Sequence, residues 1–376
     1  MRRRAIYLFS TLPCLLVLLR WLWPLRLPPM TKLGVAALLL AASQFRVWSK
    51  LSSGSVFAPE FPRALVLLCN WAFGAILLLA VLQLLLDIGL AAWALARRGR
   101  VRAPDRVRHA IAGVAGVLAA VGVYNATVVP PVRDVEVAIS GLSPALDGYR
   151  LLQLTDLHVS RLFPAAWADR MVDRANAAGA DMIVVTGDFI DGSVAMRRAD
   201  IAPLARLRAA DGVYAIPGNH EYFFSYDDWM RHLKGLGLRM LPNAHAVIAR
   251  GDARFVLAGV TDLSAPRVGR PGPDLSAALA GAPAGAPVIL LDHQPRNAAA
   301  AAARGVALQL SGHTHGGMIV GLDRFVARAN GGFVSGRYRV GGMTLYVSNG
   351  TALWPGFALR LGVPPEMTRI TLRAAR

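Results

Sequence analysis

Five short apolar runs, each ending in residues that bind metals, constrain this chain more than any other feature. Residues 149–155 lead into Asp156-Leu157-His158, and 181–186 into Gly187-Asp188. Residues 213–217 lead into Gly218-Asn219-His220-Glu221, and 288–291 into Asp292-His293. Residues 306–310 lead into Ser311-Gly312-His313-Thr314-His315-Gly316-Gly317. Runs this short and this apolar read as buried parallel strands. In open α/β sheets the carboxyl ends of such strands form the ligand crevice. Each fragment alone is ordinary, since Gly-Asp is usually a turn and Asp-x-His a cap. Five in series, all at strand exits, are not. Of the eight histidines, five fall in these clusters. His109, His232 and His245 sit in basic, helical or loop settings and read as structural or solvated. His313 and His315 are two apart, so along an extended segment they would point the same way.

The donors are carboxylate, amide and imidazole, without thiolate. That set suits Mn, Fe, Zn or Co. Both cysteines, Cys14 and Cys69, lie in apolar runs far upstream, so the site region has neither a thiol nucleophile nor a disulfide. Asp191 and Glu221 flank motifs and would serve either as orienting groups or as a turn cap and a first-turn charge. Asp262 also ends an apolar run. Tyr222, Phe223, Phe224, Tyr226 and Trp229 would either wall a pocket or form the buried face of a helix.

The order Asp-x-His, Gly-Asp, Gly-Asn-His-Glu, a lone His, then Gly-His-x-His resembles the calcineurin-like metallophosphoesterase superfamily, over residues 135–373. It is similar in particular to the membrane-anchored branch. One position departs: many relatives have Gly soon after the first His, where this chain has Val159-Ser160. The resemblance implies a four-layer α-β-β-α sandwich and two divalent metal ions, with Mn favoured. It implies Asp156, His158 and His315 on one ion and Asn219, His293 and His313 on the other, bridged by Asp188. His220 would protonate the leaving oxygen as the catalytic general acid.

Charge separates the chain into two parts. Residues 1–131 carry 15 Lys+Arg against three acidic residues (Glu60, Asp87, Asp105), interleaved with long apolar runs. This is a membrane pattern, not a nucleic-acid one. The apolar runs are 5–23, 33–48, 64–95 and 110–129, and the second is short for a span, which needs about 20 residues. Trp21, Trp23, Trp48, Trp71 and Trp93 lie near their ends, as an interfacial belt would. The first run lacks a small-residue cleavage pattern and reads as an uncleaved anchor. Six arginines between 97 and 108 make the densest basic loop, expected on the cytoplasmic side. One more span then places residues 132–376 outside the cell's inner or plasma membrane. Pro130-Pro131 makes a stiff junction.

The expected organisation is therefore a bundle of three to four transmembrane helices over 1–131 and an α/β metallophosphoesterase domain over 132–376. Helical stretches are expected at 164–178, 194–209, 226–236 and 295–304, and short strands at 336–340, 343–348 and 367–372. The expected function is hydrolysis of a phosphodiester or pyrophosphate bond, with an envelope lipid as the substrate that the membrane setting suggests. A phosphomonoesterase acting on soluble substrates, and a metal-stabilised sensor without catalysis, are the alternatives. The expected partners are a phosphate ester and the bilayer, with no nucleic acid.

Overall fold

The computed structural model describes residues 11–375, and the chain divides into two units. Arg2-Arg3-Arg4 and the start of the first apolar run lie outside the described residues. The helical unit extends through Ala126 and also takes in Pro355–Leu361. The catalytic unit comprises Thr127–Trp354 and Gly362–Arg376.

In the helical unit, α4 (Arg63–Ala96) and α5 (Asp105–Thr127) are long and apolar enough to cross a membrane. Helices α2 (Pro29–Ser43) and α3 (Phe45–Ser53) bend by 53° at their break and count as a third span only if taken together. This is the short second run, and Gln44 is the residue where it turns. Helix α1 (Thr11–Leu22) is a short apolar helix whose last six residues wind as a π-helix. Cys14, Val17, Ile76, Leu79, Ala80 and Ala115 form the packed interior. Leucines 68, 84 and 85 point outward, as lipid-facing residues do. Asp87 is matched within the bundle: Arg20 Nε lies 2.9 Å from its Oδ2, and Gln83 donates to its Oδ1 at 2.9 Å.

The returning segment Pro355–Leu361 packs among these helices, although sequence order embeds it in the catalytic region. Asn70 Nδ2 donates to the Pro355 carbonyl (2.9 Å), and the Ala358 amide donates to Asn70 Oδ1 (2.6 Å). The Arg360 amide donates to the Gly122 carbonyl at 2.9 Å. Phe357 meets Phe73 edge-on with ring centroids 5.8 Å apart. Leu359 fits closely because Gly122 has no side chain: a Cβ there would lie 2.5 Å from a Leu359 methyl.

The catalytic unit is built from two six-stranded sheets, ordered β1-β12-β2-β3-β4-β5 and β10-β11-β9-β8-β7-β6, where β5 is Arg239–Met240, β10 Gly336–Val340 and β12 Met367–Ala374. In the first, β2 (Arg150–Leu154), β3 (Met182–Val185) and β4 (Val213–Ala215) run parallel. In the second, β7 (Ala253–Gly259), β8 (Val288–Leu291), β9 (Leu308–Ser311) and β11 (Met343–Val347) do. Leu151, Met182 and Ile370 of the first sheet share one core with Phe255, Leu291 and Leu310 of the second, so the sheets pack face to face. Helix α11 (Ala298–Ala303) covers the outer face of the second sheet, burying Ala298 and Ala301 against Leu290 and Leu345. Helices α6 (Ala165–Asn176), α7 (Val194–Ile201) and α9 (Tyr226–Gly235) lie in the connections of the first. The expected helices and strands form with ends trimmed by a few residues, while β1 (Val132–Ile139), β6 (Ala244–Arg250) and α12 (Asp323–Ala329) were not anticipated. The expected loose stretch 275–287 holds one four-residue helix, α10 (Leu275–Ala278).

Candidate metal centre

All five polar clusters lie just past carboxyl ends of parallel strands: β2, β3, β4, β8 and β9. Gln153 Nε2 donates to the Ser311 carbonyl at 3.1 Å, so the two sheets are joined at this edge. The clusters form groups of convergent ligand atoms. Asp156, His158 and His315 make one, and Asp188, His293 and His313 another. His158, Asp191 and His220 make a third. Asp188 Oδ2 lies at their centre, 3.2 Å from His293 Nε2, 3.8 Å from His158 Nε2 and 3.9 Å from His220 Nε2. Asn219 Oδ1 is 3.1 Å from His293 Nε2.

The backbone is strained where these side chains leave it. Asp156, His158, Asp188, His313 and His315 all have positive φ, from 43° to 70°. That region is unfavourable for non-glycine residues and is tolerated where a site demands it. The strain also corrects one expectation. Residues 313–315 are not extended; the chain coils at Thr314 into a short 3₁₀ turn. The two imidazoles therefore part, His313 to the Asp188 group and His315 to the Asp156 group. Glycine is required at two close approaches. A Cβ at Gly218 would collide with Asp188 Oδ1, and one at Gly312 with Asp156 Oδ2.

A single carboxylate orients two imidazoles. Asp191 Oδ2 lies 3.0 Å from His158 Nδ1, and Oδ1 lies 2.6 Å from His220 Nδ1. Both rings thus turn Nε2 inward. Glu221 is a backbone clamp: it accepts from the amides of Asp188 (3.1 Å), Phe189 (2.8 Å) and Gly218 (2.7 Å). Asp262 is buried but held by Gln294 and the Ser264 amide, and it belongs to none of the three groups. Val159, where relatives have Gly nearby, extends the sheet pairing instead, bridging to Ile190.

Electrostatics favour a cation. Asp156 is fully buried, and burial, then repulsion from Asp188, raises its pKa. Burial also works against an ionised Asp188, but His293, His220 and His158 outweigh it and hold the carboxyl well below its usual range. Burial opposes a charged His220, yet Asp188 and Asp191 together raise it to about 9. Burial and neighbouring His293 lower His313 to about 3, leaving a neutral ring ready to ligate. His158 Nε2 is buried without a hydrogen-bond partner among the described residues, while facing two carboxylates. A divalent ion fits those donors and would remove that defect.

Aromatic residues flank the centre. Trp354 lies 5.1 Å from the His315 ring and 6.4 Å from the His158 ring. No sequence signal marked it. The aromatic cluster after His220 divides by role. Trp229 is fully buried and Tyr222 nearly so, with Tyr222 stacked on Tyr226. Phe223 is 42% exposed and 5.2 Å from the His220 ring.

Known proteins share these motifs. The family described as calcineurin-like phosphoesterase matches residues 149–317. A "transmembrane protein with metallophosphoesterase domain" from Danio rerio is 34% identical over 271 residues, covering 70% of this chain and 62% of the relative. The protein of the same description from Bos taurus is 36% identical, covering 70% and 61%. This chain thus spans about three-fifths of the length of those two relatives. An "uncharacterized metallophosphoesterase" from Aquifex aeolicus (strain VF5) is 32% identical, covering 60% of this chain and 85% of the relative. With the matched motifs, the two-sheet fold and the convergent ligand groups, the chain belongs to the calcineurin-like metallophosphoesterase family.

Proposed function

We propose that this protein is a membrane-anchored, metal-dependent phosphoesterase. Asp156, His158 and His315 would hold one divalent ion, and Asn219, His293 and His313 a second. Asp188 would bridge them. The observation carrying this reading is the position of Asp188 Oδ2, within 3.8 Å of imidazoles from both groups. Two bound cations supply a clamp on the phosphoryl group and an activated water.

The side chains account for the remaining chemistry. His220, charged and held by Asp191, donates its Nε2 proton to the leaving oxygen. Asp191 fixes the tautomer by accepting at Nδ1. Glu221 keeps the β3 and β4 exits in register, so Asp188 and Asn219 meet at a constant separation. Trp354, beside His315 and His158, and Phe223, beside His220, provide apolar walls next to the centre, which favours an ester whose alcohol is apolar or planar.

The substrate proposed is a phosphodiester or pyrophosphate of a membrane lipid, since the spans hold the enzyme at a bilayer. The arginine-rich turn between α4 and α5 supports a cytoplasmic location for that turn and an extracytoplasmic one for the catalytic unit. The test uses the full chain in nanodiscs, because Pro355–Leu361 needs its helical partners. Mn-dependent hydrolysis of an aryl phosphodiester and the matching monoester is measured with and without chelator. Chelator-sensitive turnover with diester preferred is the expected result. Monoester preference would favour the soluble-substrate alternative. Two metals bound per chain without turnover on either would favour a sensor.

A further inference from the structure

In the catalytic unit large apolar side chains are buried almost throughout, and one short stretch breaks the rule. Val320, Leu322 and Phe325 are 70%, 39% and 66% exposed. They come soon after His315-Gly316-Gly317. Helix α12 has no buried residue, and Arg324 and Arg328 stand exposed among the apolar groups. A seven-residue helix has little stability of its own, yet both its ends are fixed. At the first, Gly317 packs so tightly that a Cβ would lie 2.5 Å from the Asp323 Cα. At the second, Arg296 Nε donates to the Ala329 carbonyl at 2.7 Å. The loops carrying His315 and His293 therefore hold α12 in place with its outer face uncovered.

We propose that residues 320–329 form an interfacial contact with an anionic lipid surface, which brings the metal-binding rim to headgroup level. Two observations select this occupant. Phe, Leu and Val interleaved with two exposed Arg suit the boundary between acyl chains and anionic headgroups, and the single acidic residue, Asp323, is half-buried and accepts from the Gly321 amide. Chain continuity gives the second. Ile319 bridges to Gly362, and Val320 packs over it. Gly362 is bonded to Leu361, the last residue of the segment that packs with the membrane-spanning helices. The bridge thus joins the stretch to the residue that directly follows that segment in the chain. Resting on the phosphoesterase reading, this contact narrows the substrate class to esters whose phosphorus lies in the headgroup layer.

The test begins with the full chain carrying Cys14→Ala and Cys69→Ala. Single cysteines are introduced as Phe325→Cys and, for control, Val247→Cys and Val268→Cys, exposed apolar sites elsewhere on the unit. Nitroxide-labelled chains are placed in nanodiscs of phosphatidylcholine with or without phosphatidylglycerol. The label at 325 should be more accessible to oxygen and less to a water-soluble nickel chelate than either control. The contrast should grow with phosphatidylglycerol. Accessibility equal to the controls in both lipids overturns the proposal. Independently, Phe325→Asp should lower turnover of a bilayer-anchored aryl phosphodiester about tenfold or more, the loss expected for one buried aromatic. Turnover of a soluble aryl phosphodiester should stay unchanged. Equal loss on both would show a merely structural role and overturn the contact. Silence of the unmodified chain on both esters counts against the phosphoesterase reading, and the accessibility contrast still decides the contact.

Discussion

The helical unit and the catalytic unit treat buried polar groups in opposite ways. In the helical unit the polar groups at the centre of the packing are matched within the protein. Asp87 has Arg20 and Gln83, and Asn70 has both a donor and an acceptor on the returning Pro355–Leu361 segment. At the metal-binding rim, carboxylates and imidazoles are buried at 3–4 Å separations, with strained backbones and a His158 Nε2 that has no hydrogen-bond partner among the described residues. A buried polar group that is fully paired contributes to packing. One left unpaired, at a cost of about 1–3 kcal/mol, points to a binding place where other ligand atoms converge on it, as they do around His158. Burial alone distinguishes nothing; satisfaction does.

The largest effect should come from the centre of the unpaired cluster. Asp188→Asn should lower metal-dependent turnover by about 10^4-fold, the value of a phosphoryl clamp worth several kcal/mol, with metal content measured in parallel. Normal turnover in that variant would break the comparison. His220→Ala should lose about 10^2- to 10^3-fold in turnover while keeping its metals. Metal loss would make His220 a ligand instead. Asp191→Ala should reduce metal affinity and turnover together by about 10- to 100-fold, because one carboxylate orients a ring on each side. An effect on only one of the two would show that its two contacts are independent.

The paired region should respond in stability rather than chemistry. Asn70→Ala leaves the Ala358 amide and the Pro355 carbonyl unmatched and should cost about 1–3 kcal/mol, read as a lower unfolding midpoint in detergent at unchanged metal content. The last prediction concerns pH. Burial, then the neighbouring Asp262, raises Asp292 to about 8. Its folded pKa exceeds its unfolded one, so the native state holds the extra proton between them, and stability falls as pH rises from about 4 through 8. Asp292→Asn should flatten that decline in metal-free protein, measured by denaturation at pH 5 and pH 8. An unchanged slope would assign the pH dependence to other groups.

Much of the rim was legible because each candidate ligand sits directly after a strand whose hydrophobicity announces it. The turn of α2 into α3 was partly visible as a run too short to span. Asp191 was visible only as a residue flanking a motif. Its role depends on reaching His158, 33 positions away, and His220, 29 away, and no local pattern encodes that. Trp354 carried no signal, since a lone Trp after a Gly-Thr-Ala-Leu stretch reads as loop. The divergence of His313 and His315 ran against the extended-chain expectation, because positive φ at both residues is imposed by the site and not by residue type.

The amino-acid sequence by itself determined the division into an apolar helical part and an α/β part, the candidate ligands at strand exits and the family, because hydropathy period and residue spacing are local properties. Tertiary structure alone decided how the chain turns at Thr314 to part the two imidazoles, that one carboxylate serves two rings, and that Pro355–Leu361 returns to the helices. It also left α12 uncovered beside the rim. These outcomes depend on contacts between residues far apart in the chain, and a packed interior selects such contacts by shape and by the matching of polar groups.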